Sequence, residues 1–425
     1  MMSAPAAPPT APEGLRRLQR RTLVVLVVAQ AFGGAGLAAG LAVGALLARD
    51  LLGGEALSGL PSALQVIGAA LAAVPLSRLM GRLGRRPGLV SGYLLGAVGA
   101  AVAVAAAEVR SFPLLLIGSV LFGVGNASNL LSRYAAADLA LPAGRARAIS
   151  TVLLATTLGA VAGPNLVDPM GGVARTLELP TLAGPFVLAV AAYGVAAVVL
   201  FVALRPDPLV AAGGLRSDHR REATTPARPL GVALRDGRAP LALAAMAVTQ
   251  LVMVSVMTMT PVHLEHHGHG LSVVGVVISV HIAGMYLPSP VTGLFCDRVG
   301  RVPTIGVGGG LLVAAGALAA VAPPGSTFLL TSALLLLGIG WNFGLIGSST
   351  LLTDSVAVAD RTRVQGVSDL LMGSAGAAGG VLSGVVLAVG GFAMLGVLGA
   401  AIAAPLVLTA VRLRGAPALD GATSR

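Results

Sequence analysis

A segment that recurs at one fixed distance constrains this chain more than any other feature. Ser77–Pro87 reads S-R-L-M-G-R-L-G-R-R-P, and Gly293–Pro303, 216 residues further on, reads G-L-F-C-D-R-V-G-R-V-P. The same offset carries Gly84 to Gly300, Arg85 to Arg301, Asn126 to Asn342, Asp138 to Asp354, Arg145 to Arg361, Arg147 to Arg363 and Gly163 to Gly379. The 425 residues therefore hold two copies of one unit of roughly 200 residues built of apolar helices. Paired units of that kind point to a membrane transporter.

Composition agrees. With 56 % hydrophobic residues, 11 % charged residues and a mean hydropathy of +0.89, most of the length must lie in lipid. All 28 basic residues are arginine, which together with the abundant alanine and glycine reads as a coding bias, so the net charge of +11 does not call for a nucleic-acid partner. No aromatic-basic platform is present to bind one. The single cysteine, Cys296, excludes an internal disulfide and a thiolate metal cluster.

Twelve apolar stretches long enough to span a bilayer fall near 22–48, 58–80, 87–107, 111–134, 148–168, 184–204, 239–261, 271–293, 303–322, 326–352, 366–388 and 391–411. The expected fold is all-α and integral to the membrane, with two pseudo-symmetric six-helix halves at 22–204 and 239–411. Arg16, Arg17, Arg20 and Arg21 precede the first stretch, Arg78, Arg82, Arg85 and Arg86 follow or end the second, and seven more arginines lie in 205–238. Only Arg49, Arg110 and Arg175 fall on the other side. The positive-inside rule then predicts a plasma-membrane protein whose tails, 1–21 and 412–425, and linker, 205–238, are cytoplasmic.

The segment from Gly293 resembles the cytoplasmic signature of the major facilitator superfamily, G-x-x-x-D-R-x-G-R-R, with Gly293, Asp297, Arg298, Gly300 and Arg301 matching. The resemblance implies a twelve-helix alternating-access fold and a charge latch in which Asp297 meets a helix N-terminus and nearby arginines. The first copy keeps Arg82, Arg85 and Arg86 but has Ser77 for the leading glycine and Gly81 for the aspartate, so Asp297 is expected to outweigh anything in 77–87. Gly159-x-x-x-Gly163-Pro164 partly resembles the antiporter signature of drug-efflux members, and serves equally as small-residue packing.

Polar and soft side chains inside apolar stretches mark the candidate solute site. The seventh stretch carries Met246, Gln250, Met253 and Met257 on one helical face, and the eighth carries His281 and Met285 four apart. Thioether and imidazole donors suit Cu(I), while methionine also fills apolar gaps, so the spacing alone leaves packing open. The first half has Gln65 and Ala69 at the equivalent of His281 and Met285. M-x-x-x-M followed by H-x-x-x-M looks like the paired motif of the CcoA-like copper importers, which implies Met253, Met257, His281 and Met285 as ligands to transported copper. Outside the seventh stretch, His263, Glu265, His266, His267 and His269 form either a metal-collecting mouth or a solvated turn.

Asn126 and Asn342 line the cavity or bond between helices, the latter being favoured. Arg145, Arg147, Asp360, Arg361 and Arg363 are expected to form gate ion pairs, and Gln365 and Asp369 to serve the gate or cap a helix. No stretch shows a carboxylate in its central third, and no nucleophile elbow or phosphate loop occurs, so catalysis and a resident cofactor are not expected. The expectation is a transporter of a small solute, foremost Cu(I) taken up through the Met/His set. Proton-coupled efflux of a neutral or anionic organic compound is the alternative.

Overall fold

The computed structural model describes residues 13–53, 57, 59–213, 229–235, 237–268, 271–323 and 326–414. His269, most of the linker's centre (214–228) and the outer parts of both tails lie outside the described residues. Among the described residues the chain is helical, with no strand. The helices are α1 Glu13–Leu52, α2 Leu60–Leu83, α3 Arg85–Glu108, α4 Phe112–Ala137, α5 Arg145–Asn165, α6 Val167–Thr176, α7 Gly184–Ala203, α8 Pro208–Ala211, α9 Leu230–Ala233, α10 Ala239–His266, α11 Leu271–Tyr286, α12 Ser289–Val299, α13 Arg301–Val321, α14 Thr327–Ser355 and α15 Arg361–Arg414.

Ten helical stretches among these residues are long and apolar enough to cross a membrane. The last is 54 residues long, about 80 Å of helix, and holds two passes joined at Gly391, whose φ of 72° no helical residue adopts. With α5 counted as well, twelve passes result. Residues 13–21, expected in the N-terminal tail, are helical and continue into the first apolar stretch as α1. Two expectations need correction. The eighth stretch is two helices, since Pro288 and Pro290, two residues apart, each remove a ladder donor after Leu287. The stretch after 165, read as the end of a pass, turns into the short helix α6.

Each half packs chiefly on itself. In the first, α3 lies on α4 and α7, α2 on α4, and α1 on α5 and α7; in the second, α10 lies on α15 and α14, α13 on α14 and α15, and α11 on α14. The halves meet along α2 with α15 and along α5 with α12, two contacts that the 216-residue offset interchanges. Large apolar side chains such as Leu71, Val198, Phe328 and Val389 stay exposed on the outside, as a surface bathed in acyl chains requires. The turns from α2 to α3 and from α12 to α13 are made by Gly84 (φ 103°) and Gly300 (φ 111°), positions that a side chain would strain in both copies.

Candidate functional site

Three polar layers follow one another along the bundle, and the first two bridge the halves. The first is at the end of the bundle where Gly84 and Gly300 turn. Asp297 on α12, whose side chain is 2 % exposed, accepts hydrogen bonds from the backbone N–H groups of Ala146 and Arg147, each at 3.2 Å, and from Arg147 Nε at 3.0 Å. Those N–H groups open α5, so the carboxylate meets unpaired donors and the positive end of the helix dipole. Beside it, Arg145 and Arg301 both bind Asp354, at 2.5 and 2.7 Å, and Arg301 also donates to the Pro142 carbonyl. In the first half, fully buried Arg85 holds Asp138 through two bonds, 2.8 and 3.2 Å, and reaches across to Gln365 of α15 at 2.7 Å. Arg363 lies 3.9 Å from Asp360. We call this the latch end.

Within 77–87, Arg85 is the residue that reaches the other half by a hydrogen bond. It does so from a site with no solvent contact: Asp138 neutralises it, Gln365 accepts from Nη2, and Nη1 lies 3.7 Å from Met80 Sδ. Arg82 and Arg298 are exposed and form no ion pair among the described residues, and Arg86 lies over the Phe201 ring. Its backbone N–H donates to Asp207 at 2.7 Å, so this linker residue caps α3.

The second layer is deeper. Arg133 of α4 and Asp369 of α15 form a buried ion pair between the halves, their side chains 0 and 2 % exposed. Arg133 also donates to Ser349 at 3.2 Å and to Tyr134 at 3.1 Å, and the Tyr134 hydroxyl shares a 2.9 Å hydrogen bond with Ser368. Asp369 Oδ2 is buried without a partner. Asp369 is thus no helix cap, standing two turns inside α15. The signal for the pair was present in the sequence: one arginine and one aspartate, each inside an apolar stretch, can remain there only together.

A third layer lies further from the latch end. Gln250 of α10 accepts from the indole N–H of Trp341 on α14 at 2.8 Å, and Tyr286 of α11 meets the Trp341 ring edge-on at 5.7 Å between centroids. Gly376 of α15 leaves room for Gln250, whose Nε2 would lie 3.2 Å from a Cβ at that position. Gly376 is seven residues beyond Asp369, and Trp341 eight before Ser349, so this cluster sits about 10–12 Å from the ion pair along both helices. Asn126 of α4, seven residues from Arg133, belongs to the same level and is half-buried without a hydrogen bond among the described residues.

The remaining sequence-predicted residues are distributed differently. His281 is fully buried, with Nδ1 2.8 Å from the Leu334 carbonyl of α14 and Nε2 without a partner. Its ring is thereby held within the second half; its equivalent Gln65 is buried too, with Oε1 unpartnered. Met246, Met253 and Met285 are buried in one apolar cluster with Met257 against it, and α10 and α11 touch only sparsely. Asn342 donates to the Met285 carbonyl at 2.7 Å and to Ser289 at 2.8 Å, tying α14 to the two pieces of the eighth pass. His263 stacks on Phe392 at 4.4 Å and faces His267 at 4.5 Å, while Glu265, His266 and His267 are exposed. Among the described residues, no three His, Cys, Asp or Glu side chains are grouped to hold a metal ion.

All hydrogen bonds and ion pairs between the halves, among the described residues, lie in the first two layers. Among the described residues, these polar joins are concentrated at the latch end and in the layer next to it.

Comparison with known proteins fits this geometry. Residues 23–380 and 264–423 match the family model of the Major Facilitator Superfamily. The uncharacterized MFS-type transporter YdeG of Bacillus subtilis is 46 % identical over 408 residues, covering 96 % of this chain and 95 % of that one. The riboflavin transporter RfnT of Brucella anthropi is 33 % identical over 354 residues, covering 83 and 85 %. Among solved structures, the proton:xylose symporter XylE bound to 6-bromo-6-deoxy-D-glucose superposes with a TM-score of 0.70 at 15 % identity, over 93 % of this chain and 96 % of the other. A repeated latch, two six-helix halves and matches along nearly the whole length lead to one conclusion: the chain belongs to the Major Facilitator Superfamily, as a multi-pass membrane transporter.

Proposed function

We propose that this transporter carries a small organic solute with a planar aromatic part across the plasma membrane by alternating access. The observation that carries the reading is the cluster of Gln250, Trp341 and Tyr286 in the second half, one layer beyond the buried Arg133–Asp369 pair along α14 and α15. An indole and a phenol offer flat apolar surface, and the Gln250 amide, whose Nε2 makes no hydrogen bond among the described residues, offers a donor. The name of RfnT supports a solute of this class. The arginine distribution supports a cytoplasmic latch end, so the joined halves describe a form open to the outside. Protonation of Asp369 through its free oxygen would release Arg133 and loosen the seam, a coupling that the symporter activity named for XylE supports. Uptake of labelled riboflavin by riboflavin-requiring cells tests the reading: wild type is expected to import it, Trp341→Ala to lose most uptake, and Asp369→Asn to lose accumulation against a gradient. Uptake equal in wild type and Trp341→Ala would refute the solute seat.

Copper is the second reading, favoured by His281 Nε2, a buried nitrogen without a partner in the cluster that holds Met253, Met285 and, at its edge, Met257. It ranks lower because the His281 ring is bound to its own half and α10 and α11 scarcely meet. Uptake of a copper isotope under reducing conditions, compared between wild type and a Met257→Ala/His281→Ala double variant, decides it.

A further inference from the structure

We propose that a groove at the latch end, between the start of α1 and the start of α5, seats an anionic phospholipid of the membrane in which the chain lies. The cavity has a volume of about 540 Å³; Arg16, Arg20 and Arg147 stand around it and Leu23, Leu139 and Leu141 are among its apolar walls. Among the described residues, no acidic one lines it. Arg16 and Arg20 lie four apart on one helical face and form no ion pair among the described residues, an arrangement that is unfavourable until an anion joins them. The neighbouring Arg17, by contrast, already has Glu13. Arg147 spends Nε on Asp297 and Nη2 on the Ala143 carbonyl, and its side chain remains 58 % exposed.

What favours a lipid over a free anion is the continuation of the same face. Positions 16 and 20 are followed at the same spacing by Val24 and Val28, 57 and 38 % exposed, where the first apolar stretch begins. A strip that is basic for two turns and apolar for the next two matches a phosphate headgroup above an acyl chain. Because Arg147 borders both the groove and Asp297, an occupied seat draws on an arginine of the latch.

The test is native mass spectrometry of the detergent-solubilised full chain titrated with palmitoyl-oleoyl phosphatidylglycerol or phosphatidylcholine. Wild type is expected to prefer phosphatidylglycerol by about thirty-fold, the two free arginines contributing roughly equally. Arg16→Gln/Arg20→Gln should abolish the preference, and Arg16→Lys/Arg20→Lys should keep it. Thr151→Trp, which fills the groove without touching a charge, should also lose the lipid and covers the case in which the double glutamine variant fails to fold. No preference in wild type, an unchanged preference in both the glutamine and tryptophan variants, or full displacement by millimolar inorganic phosphate would overturn the proposal. The readout is binding, so it stands apart from the identity of the transported solute.

Discussion

Gly293 of α12 lies against Ser150 of α5, and in the other half Ser77 of α2 lies against Gly366 of α15, the equivalent of Ser150. A Cβ on Gly293 would sit 2.3 Å from Ser150 Oγ, and one on Gly366 2.7 Å from Ser77 Oγ. The small residue has changed sides. One turn on, Asp297 reaches out to the first amides of α5, whereas its counterpart Gly81 offers nothing and Thr362, in the first turn of α15, fills the space with its hydroxyl 2.7 Å from where a Cβ would be. The fold demands close approach at both crossings but leaves open which helix supplies the group that fills it. Charge is distributed unequally as well: Arg85–Asp138 is dry, and its equivalent Arg301–Asp354 is 16 and 24 % exposed.

The largest effect should come from that last difference. Arg85→Ala strands Asp138 and Gln365 in the interior and is expected to lose about 3–5 kcal/mol, whereas Arg301→Ala, at a partly exposed pair whose Asp354 keeps Arg145, should lose about 1 kcal/mol. Thermal unfolding of the purified variants checks this, and equal losses would break the comparison. Next, Asp297→Asn removes the charge at the α5 N-terminus, worth up to about 2 kcal/mol. The buried Cys296 beside it is a native reporter: its alkylation by a membrane-permeant maleimide should quicken about ten-fold. An unchanged rate would mean that Asp297 does not hold the latch shut.

A smaller effect separates the halves more sharply. Gly81→Asp alone should destabilise, because Thr362 already occupies the space, but Gly81→Asp/Thr362→Ala should recover and give the first half a charged latch. Slower maleimide labelling of Cys296 than in wild type is the expected sign. The smallest change is the exchange Gly293→Ser/Ser150→Gly, which copies the arrangement of the other crossing and should cost less than about 1 kcal/mol, against about 1–3 kcal/mol for Gly293→Ser alone. If the exchange costs as much as the single change, the two crossings are not interchangeable.

Much of this was legible in the sequence because repetition and hydropathy are local properties. The 216-residue offset, the apolar stretches and the gate arginines needed no tertiary information, and the structure sets Arg147 against Asp297 and Arg145 against Asp354. For Arg133 and Asp369 each residue was conspicuous in its apolar stretch, but nothing local ties one to the other: they are 236 apart and neither lies in a recurring motif. Periodicity placed Met253 and Met257 on one face and His281 and Met285 on another, but it could not say which neighbour each face meets. The Leu334 carbonyl that holds the His281 ring carries no side-chain signal at all. The Gln250–Trp341 bond was likewise out of reach, since the equivalent positions, Gly34 and Gly125, offer no precedent within the chain.

The break between α11 and α12 gives the eighth pass an articulation that the continuous α2 lacks. The piece 289–299 is clamped to α5 through Asp297, while 271–286 is keyed to α14 by His281, and only Leu287 and Pro288 lie between them. The outer piece can pivot as the far end of the bundle narrows while the inner piece stays docked. In the first half α2 runs unbroken, with Pro75 inside it weakening the ladder. The two halves therefore place their weak points differently, at Leu287 and Pro288 in one and at Pro75 in the other.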